Sequence, residues 1–405
     1  MNRKFSHPNN KRSRYFGFDR NIFFTGITSF LTDTSIKMVY SVMPLFLLSI
    51  GASKTTLSLI EGIAESTASL LKAVSGFWSD RVGRNKPFMI IGYGLTALVT
   101  PLYAGVISPL QVLFLRFAER IGKGLRTAPR DSLISASIQK NEAGKSFGFH
   151  KAMDNSGAII GPLIAFLFLA LFPLKYEYIF IAAGLPALLG VISVIVFIRE
   201  ARTDSGSTKV RLSSWKQLPR NYFIVLGILF IFSLGNSTDA LLLVKTSESG
   251  VKSTYIPFIY MIFNSVSVLL AIPAGKLSDR IGREKLITWG FLVYALVYFL
   301  FGTFSSIPLL ILAFVFYGVY SAFSDGSQKA LISDLTGTAI KGTGFGIYHA
   351  MLGITLLPAS LIAGLLYDRV TPAAAFYFGG AMAILAASLM ALFQKAQKRK
   401  LSVSN

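Results

Sequence analysis

A charged loop motif occurs twice in this chain of 405 residues, and it constrains the fold more than any other feature. Residues 76–87 read GFWSDRVGRNKP and residues 275–286 read GKLSDRIGREKL, and long apolar segments flank both copies. A polar loop between two apolar segments is typical of a turn between membrane helices. Its recurrence predicts two homologous halves.

Two further blocks repeat at nearly the same spacing. Residues 144–153 (GKSFGFHKAM) resemble 342–351 (GTGFGIYHAM), and the tripeptide LIS occurs at 133–135 and again at 331–333. Matched blocks at one offset indicate a duplication that extends across most of each half.

The composition requires a lipid environment, because 53% of the residues are hydrophobic and only 15% are charged. A helix needs about 20 apolar residues to cross a bilayer. We predict an all-α polytopic membrane protein with twelve transmembrane helices in two pseudo-symmetric six-helix bundles, over 21–198 and 221–394. The predicted spans are 21–50, 55–78, 87–107, 109–132, 143–171, 177–198, 221–246, 253–278, 286–303, 307–334, 341–366 and 373–394.

The net charge of +21 reports orientation in the membrane. Lys and Arg concentrate in the tail 1–20, in the even-numbered turns, in the polar linker 199–220 and in the tail 395–405. The positive-inside rule therefore predicts a cytoplasmic (inner) membrane protein with both termini in the cytoplasm. A nucleic-acid partner is not expected, because the positive charges are explained by this distribution.

Several classes of chemistry are excluded by residues that the sequence lacks. No cysteine is present, which excludes disulfides, thiolate metal sites and cysteine nucleophiles. Three histidines without clustered carboxylates give no metal-site spacing. The sequence has neither a phosphate-binding Gly-x-x-x-x-Gly-Lys motif nor a nucleophile and base arrangement. We therefore expect no enzyme activity, no nucleotide-driven pumping, no metal and no cofactor.

Together the two loops, the twelve spans and the central linker resemble the major facilitator superfamily of secondary transporters, and the resemblance covers nearly the whole chain. It implies that the loop forms a cytoplasmic gate, in which the Asp carboxylate pairs with Arg or a helix N-terminus. The alternative is that these residues only orient the chain. The gate residues are Gly76, Asp80, Arg81, Gly83 and Arg84 in the first copy and Gly275, Asp279, Arg280, Gly282 and Arg283 in the second.

A second signature lies in the fifth span. Gly157, Gly161 and Pro162 resemble the Gly-x-x-x-Gly-Pro pattern of antiporters in this superfamily, although Ala165 replaces the glycine expected next. Small residues four apart allow two helices to approach closely, and the proline bends its helix. Either an antiporter hinge or ordinary helix packing accounts for the pattern.

Charged residues in mid-span are the candidates for substrate or proton binding, because each costs roughly 3 kcal/mol to insert. One-turn spacing predicts ion pairs between Asp33 and Lys37, between Lys151 and Asp154 and between Asp325 and Lys329. The full set comprises Asp33, Lys37, Glu61, Glu65, Arg116, Glu119, Arg120, Lys151, Asp154, Asp239, Asp325 and Lys329.

Two candidates in the second span carry like charge. Glu61 and Glu65 lie one turn apart, and two close carboxylates in a low dielectric resist double ionisation, which suits a proton carrier. The alternative is that one of them is solvated. In the fourth span, Arg116 or Arg120 resembles the arginine that precedes a glycine-rich stretch in proton-coupled members of the superfamily.

These features predict a proton-coupled secondary transporter that moves a small organic solute by alternating access, with efflux antiport favoured by the fifth-span motif. Its predicted partners are a small-molecule substrate, protons and membrane lipids, and we expect a monomer. The basic groups of the first half make uptake or export of an anionic metabolite or siderophore the alternative to multidrug efflux. A non-transporting membrane receptor or scaffold is the third possibility.

Overall fold

The computed structural model describes residues 14–82, 84–138, 143–200, 216–336 and 341–403. Within these ranges, the side chains of 73, 76–82, 143–144, 341–342 and 398–403 are not described. Most of the predicted linker, 201–215, and most of the N-terminal tail lie outside the described residues.

Six long helices form the first half, after a two-residue hairpin of β1 (Arg14–Tyr15) and β2 (Phe18–Asp19). Side chains fix two of the helix starts. The carboxylate of Asp19 accepts from the backbone N–H of Asn21 at 2.9 Å, and Ser108 forms a capping box with Gln111. The helices are α1 (Arg20–Ser49), α2 (Lys54–Val82), α3 (Lys86–Leu102), α4 (Pro109–Ser137), α5 (Ala143–Leu171) and α6 (Tyr176–Phe197).

The second half also has six membrane-crossing segments, but the first of them is broken. Residues 236–239 separate two helices where the sequence predicts one continuous span over 221–246. Asn, Ser, Thr and Asp favour this break, because their side chains compete for backbone hydrogen bonds. The hydroxyl oxygen of Thr238, for example, accepts from the backbone N–H of Ala240. The helices are α7 (Arg220–Gly235), α8 (Ala240–Glu248), α9 (Ile256–Ile281), α10 (Arg283–Thr303), α11 (Ile307–Thr336), α12 (Lys341–Arg369) and α13 (Pro372–Val403).

Successive segments run in opposite directions, so the turns divide between two faces. We call the face where α1 begins and α13 ends the tail face, and the opposite face, with the turns 50–53 and 370–371, the far face. The second gate motif lies at the tail face, between α9 and α10.

Most of the helices are apolar enough to lie in lipid. Among the described residues, nine segments qualify as membrane spans by length and hydropathy, and α7 with α8 counts as one of them. The other three long helices, α1, α2 and α4, carry most of the charged residues of the first half. Their polar side chains must turn inward, away from lipid, because charges are costly in hydrocarbon. These three helices therefore line the interior.

The two halves pack closely along α2 and α12. A Cβ atom added at Gly62 would lie 2.9 Å from the Cβ of Ser360, and one at Gly353 would lie 2.8 Å from the Cγ of Leu70. Small residues permit this approach of helix backbones. The interface therefore runs from the far face toward the middle of the membrane.

Polar contacts also join the halves at the far face. Asp368 accepts from the hydroxyl of Thr55 at 2.7 Å and from its backbone N–H at 2.6 Å. Lys54 forms an ion pair with Glu248 at 3.1 Å, and Glu248 also accepts from the hydroxyl of Tyr367. These exposed contacts are individually weak, so they can break and re-form at little cost.

Candidate functional site

A cavity of about 260 Å³ lies between the two halves. The first half contributes residues from α1 and α2, and the second contributes the break between α7 and α8 together with α9, α11 and α12. A binding site at the interface of two repeats, beside a discontinuous helix, is a recurring arrangement in secondary transporters. The cavity is lined by Tyr40, Glu61, Glu65, Asn236, Ser237, Thr238, Asp239, Phe263, Tyr317, Tyr320, Ser321, Asp325, Leu356 and Ser360.

The second-half wall of the cavity combines two carboxylates with aromatic rings. Asp239 accepts a hydrogen bond from the hydroxyl of Tyr317 at 2.6 Å, and Asp325 accepts one from Ser321 at 3.1 Å. Tyr317 stacks on Tyr320 with ring centroids 5.4 Å apart. Both carboxylates therefore have hydroxyl partners, and among the described residues neither has a cation within 4.0 Å.

The first-half wall rests on a buried ionic network. The Arg116 guanidinium donates to both carboxylate oxygens of Glu61 at 2.5 and 2.7 Å, and to Glu119 at 3.0 Å. The side chain of Arg116 is 0% exposed and that of Glu61 is 3% exposed. Tyr103 also donates to Glu119, at 3.2 Å. One arginine thus binds two carboxylates away from solvent.

The neighbouring carboxylate, Glu65, has its own arginine. Arg120 forms an ion pair with Glu65 at 2.9 Å, and the carboxylate is 38% exposed while the arginine is almost buried. The sequence predicted that Glu61 and Glu65 act on each other as like charges. The structure corrects this interpretation, since arginines of α4, on a different helix, neutralise both carboxylates.

The predicted ion pair between Asp33 and Lys37 does not form. The ammonium of Lys37 donates instead to the hydroxyl of Tyr260 at 2.9 Å, in the opposite half. It also lies 5.4 Å from the ring centroid of Tyr40 and 5.1 Å from that of Tyr260. A cation held between two aromatic faces gains cation–π stabilisation, which helical spacing alone could not reveal. Lys37 therefore links the halves beside the cavity.

The predicted pair of Lys151 and Asp154 is also wrong. Lys151 is exposed, whereas Asp154 lies 4.0 Å from Arg130 and 3.8 Å from the Nδ1 atom of His150. His150 is buried, with its Nε2 atom 2.8 Å from the hydroxyl of Ser29. Packing of α5 against α1 buries this histidine.

Asp325 and Lys329 do not pair either, although they lie one turn apart on α11. The carboxylate turns to Ser321 and lines the cavity, and Lys329 is exposed, with no ion-pair partner within 4.0 Å among the residues that the structure describes. Asp325 and Lys329 lie on one face of α11, so the lysine lies on the tail-face side of the carboxylate that lines the cavity.

The second copy of the gate motif is held within its own half. Arg283 lies 2.8 Å from Asp334 and 3.8 Å from Asp279. Gly282, at φ +96°, forms the turn between α9 and α10, a conformation that other residues rarely adopt. Gly275 and Arg280 are exposed.

The first copy is described only in part. Gly83 lies outside the described residues, and of Gly76, Asp80 and Arg81 only the helical backbone is described. Arg84 is exposed. A gating role for both copies stays a prediction.

The antiporter-like motif packs α5 against α1. A Cβ atom added at Gly161 would lie 2.5 Å from the carbonyl oxygen of Thr34 and 2.9 Å from the backbone nitrogen of Met38. One added at Gly157 would lie 2.7 Å from the carbonyl oxygen of Phe30. Pro162 lies inside the helix. The glycines therefore set the helix separation, and Lys37 leaves α1 at the point of contact.

We expect replacement of Gly161 by alanine to destabilise the protein by about 1–3 kcal/mol, because the backbone of α1 must move away from the added methyl group. The measurement is the midpoint of unfolding in detergent. Gly148→Ala on the same helix is the matched control, because nothing lies within 4 Å of its added Cβ. An equal midpoint for both variants would contradict close packing at Gly161.

The sequence missed the aromatic wall and the buried histidine. Tyr317 and Tyr320 have the spacing of neighbours on one helix face, but ordinary packing gives the same spacing. The run Gly-Asn-Ser-Thr-Asp at 235–239 was a detectable signal, since such residues interrupt helices. Within the described part of the chain, no group of three His, Cys, Asp or Glu residues forms a metal site.

Comparison with known proteins identifies the fold family. The sequence profile of the Major Facilitator Superfamily matches residues 25–246 and 239–405. The chain belongs to this superfamily. An uncharacterised MFS-type transporter of Methanocaldococcus jannaschii is 34% identical over 389 residues, covering 94% of this chain and 96% of that protein. The multi-drug resistance efflux pump PmrA of Streptococcus pneumoniae is 26% identical over 323 residues, covering 76% and 79%.

Solved structures agree on the MFS fold. A POT family transporter in complex with 5-aminolevulinic acid superposes with a TM-score of 0.76 at 15% identity, over 94% of this chain and 97% of that one. The nucleoside transporter NupG gives a TM-score of 0.73 at 14% identity, over 93% and 99%. This protein is therefore an integral membrane transporter of the MFS fold, and its two halves around one cavity fit transport by alternating access.

Proposed function

We propose that this MFS protein is a proton-coupled antiporter that exports a small organic solute across the cytoplasmic membrane, with both termini in the cytoplasm. The observation that carries the proposal is the pair of carboxylates, Asp239 and Asp325, on the second-half wall. Both line the cavity and have hydroxyl partners, and in the part of the chain that the structure describes no cation lies within 4.0 Å of either. Ionisable residues in this setting mark proton and substrate pathways.

The proton carrier in this proposal differs from the one the sequence suggested. Glu61 and Glu65 already have their charges balanced by arginines. Asp239 occupies the break between α7 and α8, where the backbone is free of regular helix constraints. Its charge also interacts with Lys37 across the boundary between the halves. Protonation of Asp239 would therefore alter an interaction that links the two halves.

The direction of transport rests on two similarities. PmrA is an efflux pump, and the chain shares 26% identity with it. Gly157, Gly161 and Pro162 form a tight contact between α1 and α5, as expected of an antiporter motif that shapes a hinge. The far-face contacts of Thr55 with Asp368 would break on outward opening, and the gate motifs would close the tail face in the same step.

An anionic metabolite as sole substrate is the second candidate. Considering the described residues, Lys72, Lys123 and Lys329 have no ion-pair partner within 4.0 Å, and they lie on the tail-face side of the carboxylates, on three helices. Unpaired cations of this kind favour a carboxylate or phosphate on the substrate.

The test is transport by the purified full-length protein in proteoliposomes. Candidate solutes from drug, amine and organic-acid panels are added with and without an imposed pH gradient, and internal pH and solute uptake are recorded together. We expect solute movement against its gradient, coupled to proton movement in the opposite direction. Equal solute movement with and without the pH gradient would remove the coupling, and empty liposomes supply the baseline.

A further inference from the structure

Resting on the proposed transport function, we infer that the substrate carries both a positive and a negative charge: a small amino-carboxylate, or a molecule of equivalent charge pattern. Its ammonium group binds the carboxylates and aromatic rings of the cavity. Its acidic group binds three lysines on the tail-face side, Lys72, Lys123 and Lys329, which we call the lysine triad.

The cavity itself favours a cation. Four carboxylates line it, and no lysine or arginine does. Two of the four, Glu61 and Glu65, are balanced by Arg116 and Arg120, which leaves Asp239 and Asp325 to face a ligand. A single neighbouring ammonium, that of Lys37, lies beside the cavity. The two carboxylates and one ammonium leave one negative charge uncompensated, and a single positive group on the ligand would compensate it.

The aromatic wall supports the same conclusion. Tyr317 and Tyr320 stack at 5.4 Å, and Phe263 lies 4.9 Å from the Tyr317 ring. Ring faces beside carboxylates form a favourable environment for an ammonium group. The protein already places one cation in such an environment, since Lys37 lies between the rings of Tyr40 and Tyr260.

The arginines cannot serve as anion binders in this arrangement. Arg116 is 0% exposed, and its donors are directed to Glu61 and Glu119. Arg120 is 3% exposed and pairs with Glu65. The positive groups that the sequence associated with an anionic substrate therefore lie behind the cavity wall.

The lysine triad supplies the anion site instead. Lys329 lies one turn beyond Asp325 toward the tail face, about 6 Å along α11, and Lys72 lies about 10 Å beyond Glu65 along α2. The charges of Lys72 and Lys329 interact across the boundary between the halves, and those of Lys72 and Lys123 interact within the first half. Lys72 and Lys123 also interact with the Glu65 carboxylate, which Arg120 already pairs, so one carboxylate faces several cations and positive charge is left in excess. The excess favours a further anion among the lysines.

A cavity that is acidic inside and basic at its tail-face side selects for both charges at once. A simple cation must pass the lysine triad, and a simple anion must approach two carboxylates without ion-pair partners. A zwitterion with its charges roughly 5–10 Å apart, as the helix rise sets them, satisfies both groups. The volume of about 260 Å³ lies below the range typical of drug-sized ligands, so the molecule is small.

The test uses three matched panels of small compounds on shared carbon skeletons: ω-amino-carboxylates and dipeptides, their methyl esters, and their N-acetyl derivatives. Esterification removes the negative charge and acetylation removes the positive one. The readout is thermal stabilisation of the purified full-length protein in detergent, because a ligand that binds only the folded state raises its stability. We expect the best amino-carboxylate to bind at least about tenfold more tightly than either derivative.

Substitutions then assign the two charges. Lys329→Gln is expected to weaken binding of the best amino-carboxylate about tenfold to a hundredfold and to leave its methyl ester unaffected. Asp325→Asn is expected to weaken the amino-carboxylate similarly and to leave the N-acetyl derivative unaffected. Lys329→Arg should retain binding, which shows that charge is required, and the exposed far-face residue Lys252, changed to Gln, is the matched control.

Each other outcome overturns the inference. Equal binding of the methyl esters would assign a cationic substrate, equal binding of the N-acetyl derivatives would assign an anionic one, and no stabilisation by any panel would exclude this charge pattern. The proposed function is judged separately: binding of amino-carboxylates without proton-linked flux removes the coupling alone. Proton-linked flux of a compound with a single charge removes this inference alone.

Discussion

Replacement of Arg116 by methionine is expected to destabilise the protein by about 3–5 kcal/mol, because it leaves two buried carboxylates without their cation. Glu61 is 3% exposed and accepts three hydrogen bonds from Arg116, and Glu119 accepts a fourth. Neither α2 nor α4 can move far enough to solvate them, since Gly124 packs against Leu71 and Ala68 between the two helices. The measurement is the free energy of unfolding in detergent.

A variant that removes all three charges separates burial of charge from loss of packing. Arg116→Met combined with Glu61→Gln and Glu119→Gln should recover most of the loss, because an uncharged network has no ions to leave unpaired. The control is Arg369→Met, at an exposed residue that ends α12, with an expected change within about 0.5 kcal/mol. If Arg116→Met unfolds at the wild-type midpoint, the network contributes nothing to stability.

The overall fold follows from features that act along the chain. Apolar segments of about 20 residues, separated by charged turns, are the condition for crossing a bilayer, and a repeated gate motif dates from duplication of one half. The break at 236–239 was accessible from the same local information. Turn-forming residues interrupt a helix wherever they occur, provided that the protein satisfies the freed backbone groups.

The pairing of charges could not be predicted in the same way. One-turn spacing predicted pairs of Asp33 with Lys37 and of Asp325 with Lys329, yet Lys37 reaches Tyr260 on α9 and Asp325 turns to Ser321. Within a single helix such pairs contribute only a few tenths of a kcal/mol. Lys37 has its partner on another helix, whereas Asp325 has one on its own helix, one turn earlier. Which helices meet is a property of the whole fold. The sequence therefore identified charged candidates without their contacts.

The same limit explains why the sequence supported an anionic substrate as the alternative to multidrug efflux. Arg116 and Arg120 belong to a predicted membrane span, and the sequence does not show which acidic residues of other helices they meet. In the structure they lie behind Glu61 and Glu65, and the surface that faces the cavity is acidic. The sign of the charge in a binding site depends on which side chains reach the cavity.

Replacement of Asp239 by asparagine is expected to abolish transport driven by a pH gradient, reducing it to the level of empty liposomes. Asparagine keeps the shape of the side chain and can still accept the hydrogen bond from Tyr317, but it cannot take up and release a proton. The rate of solute exchange without a gradient should stay within about tenfold of the wild-type rate, because one hydrogen-bonded group changes and the cavity stays intact. Flux with and without the gradient is measured in parallel on the same proteoliposomes.

The control for this prediction must be a cavity residue without charge, because any change in the lining could slow binding. Ser360→Ala removes a hydroxyl from the same cavity and should leave the dependence on pH gradient unaltered. Asp325→Asn distinguishes the two acids: it should weaken substrate binding and spare the coupling, because the charge that interacts with Lys37 across the halves is that of Asp239. Gradient-driven flux that survives Asp239→Asn and is lost in Asp325→Asn would reverse the two roles, and survival in both would place the proton elsewhere.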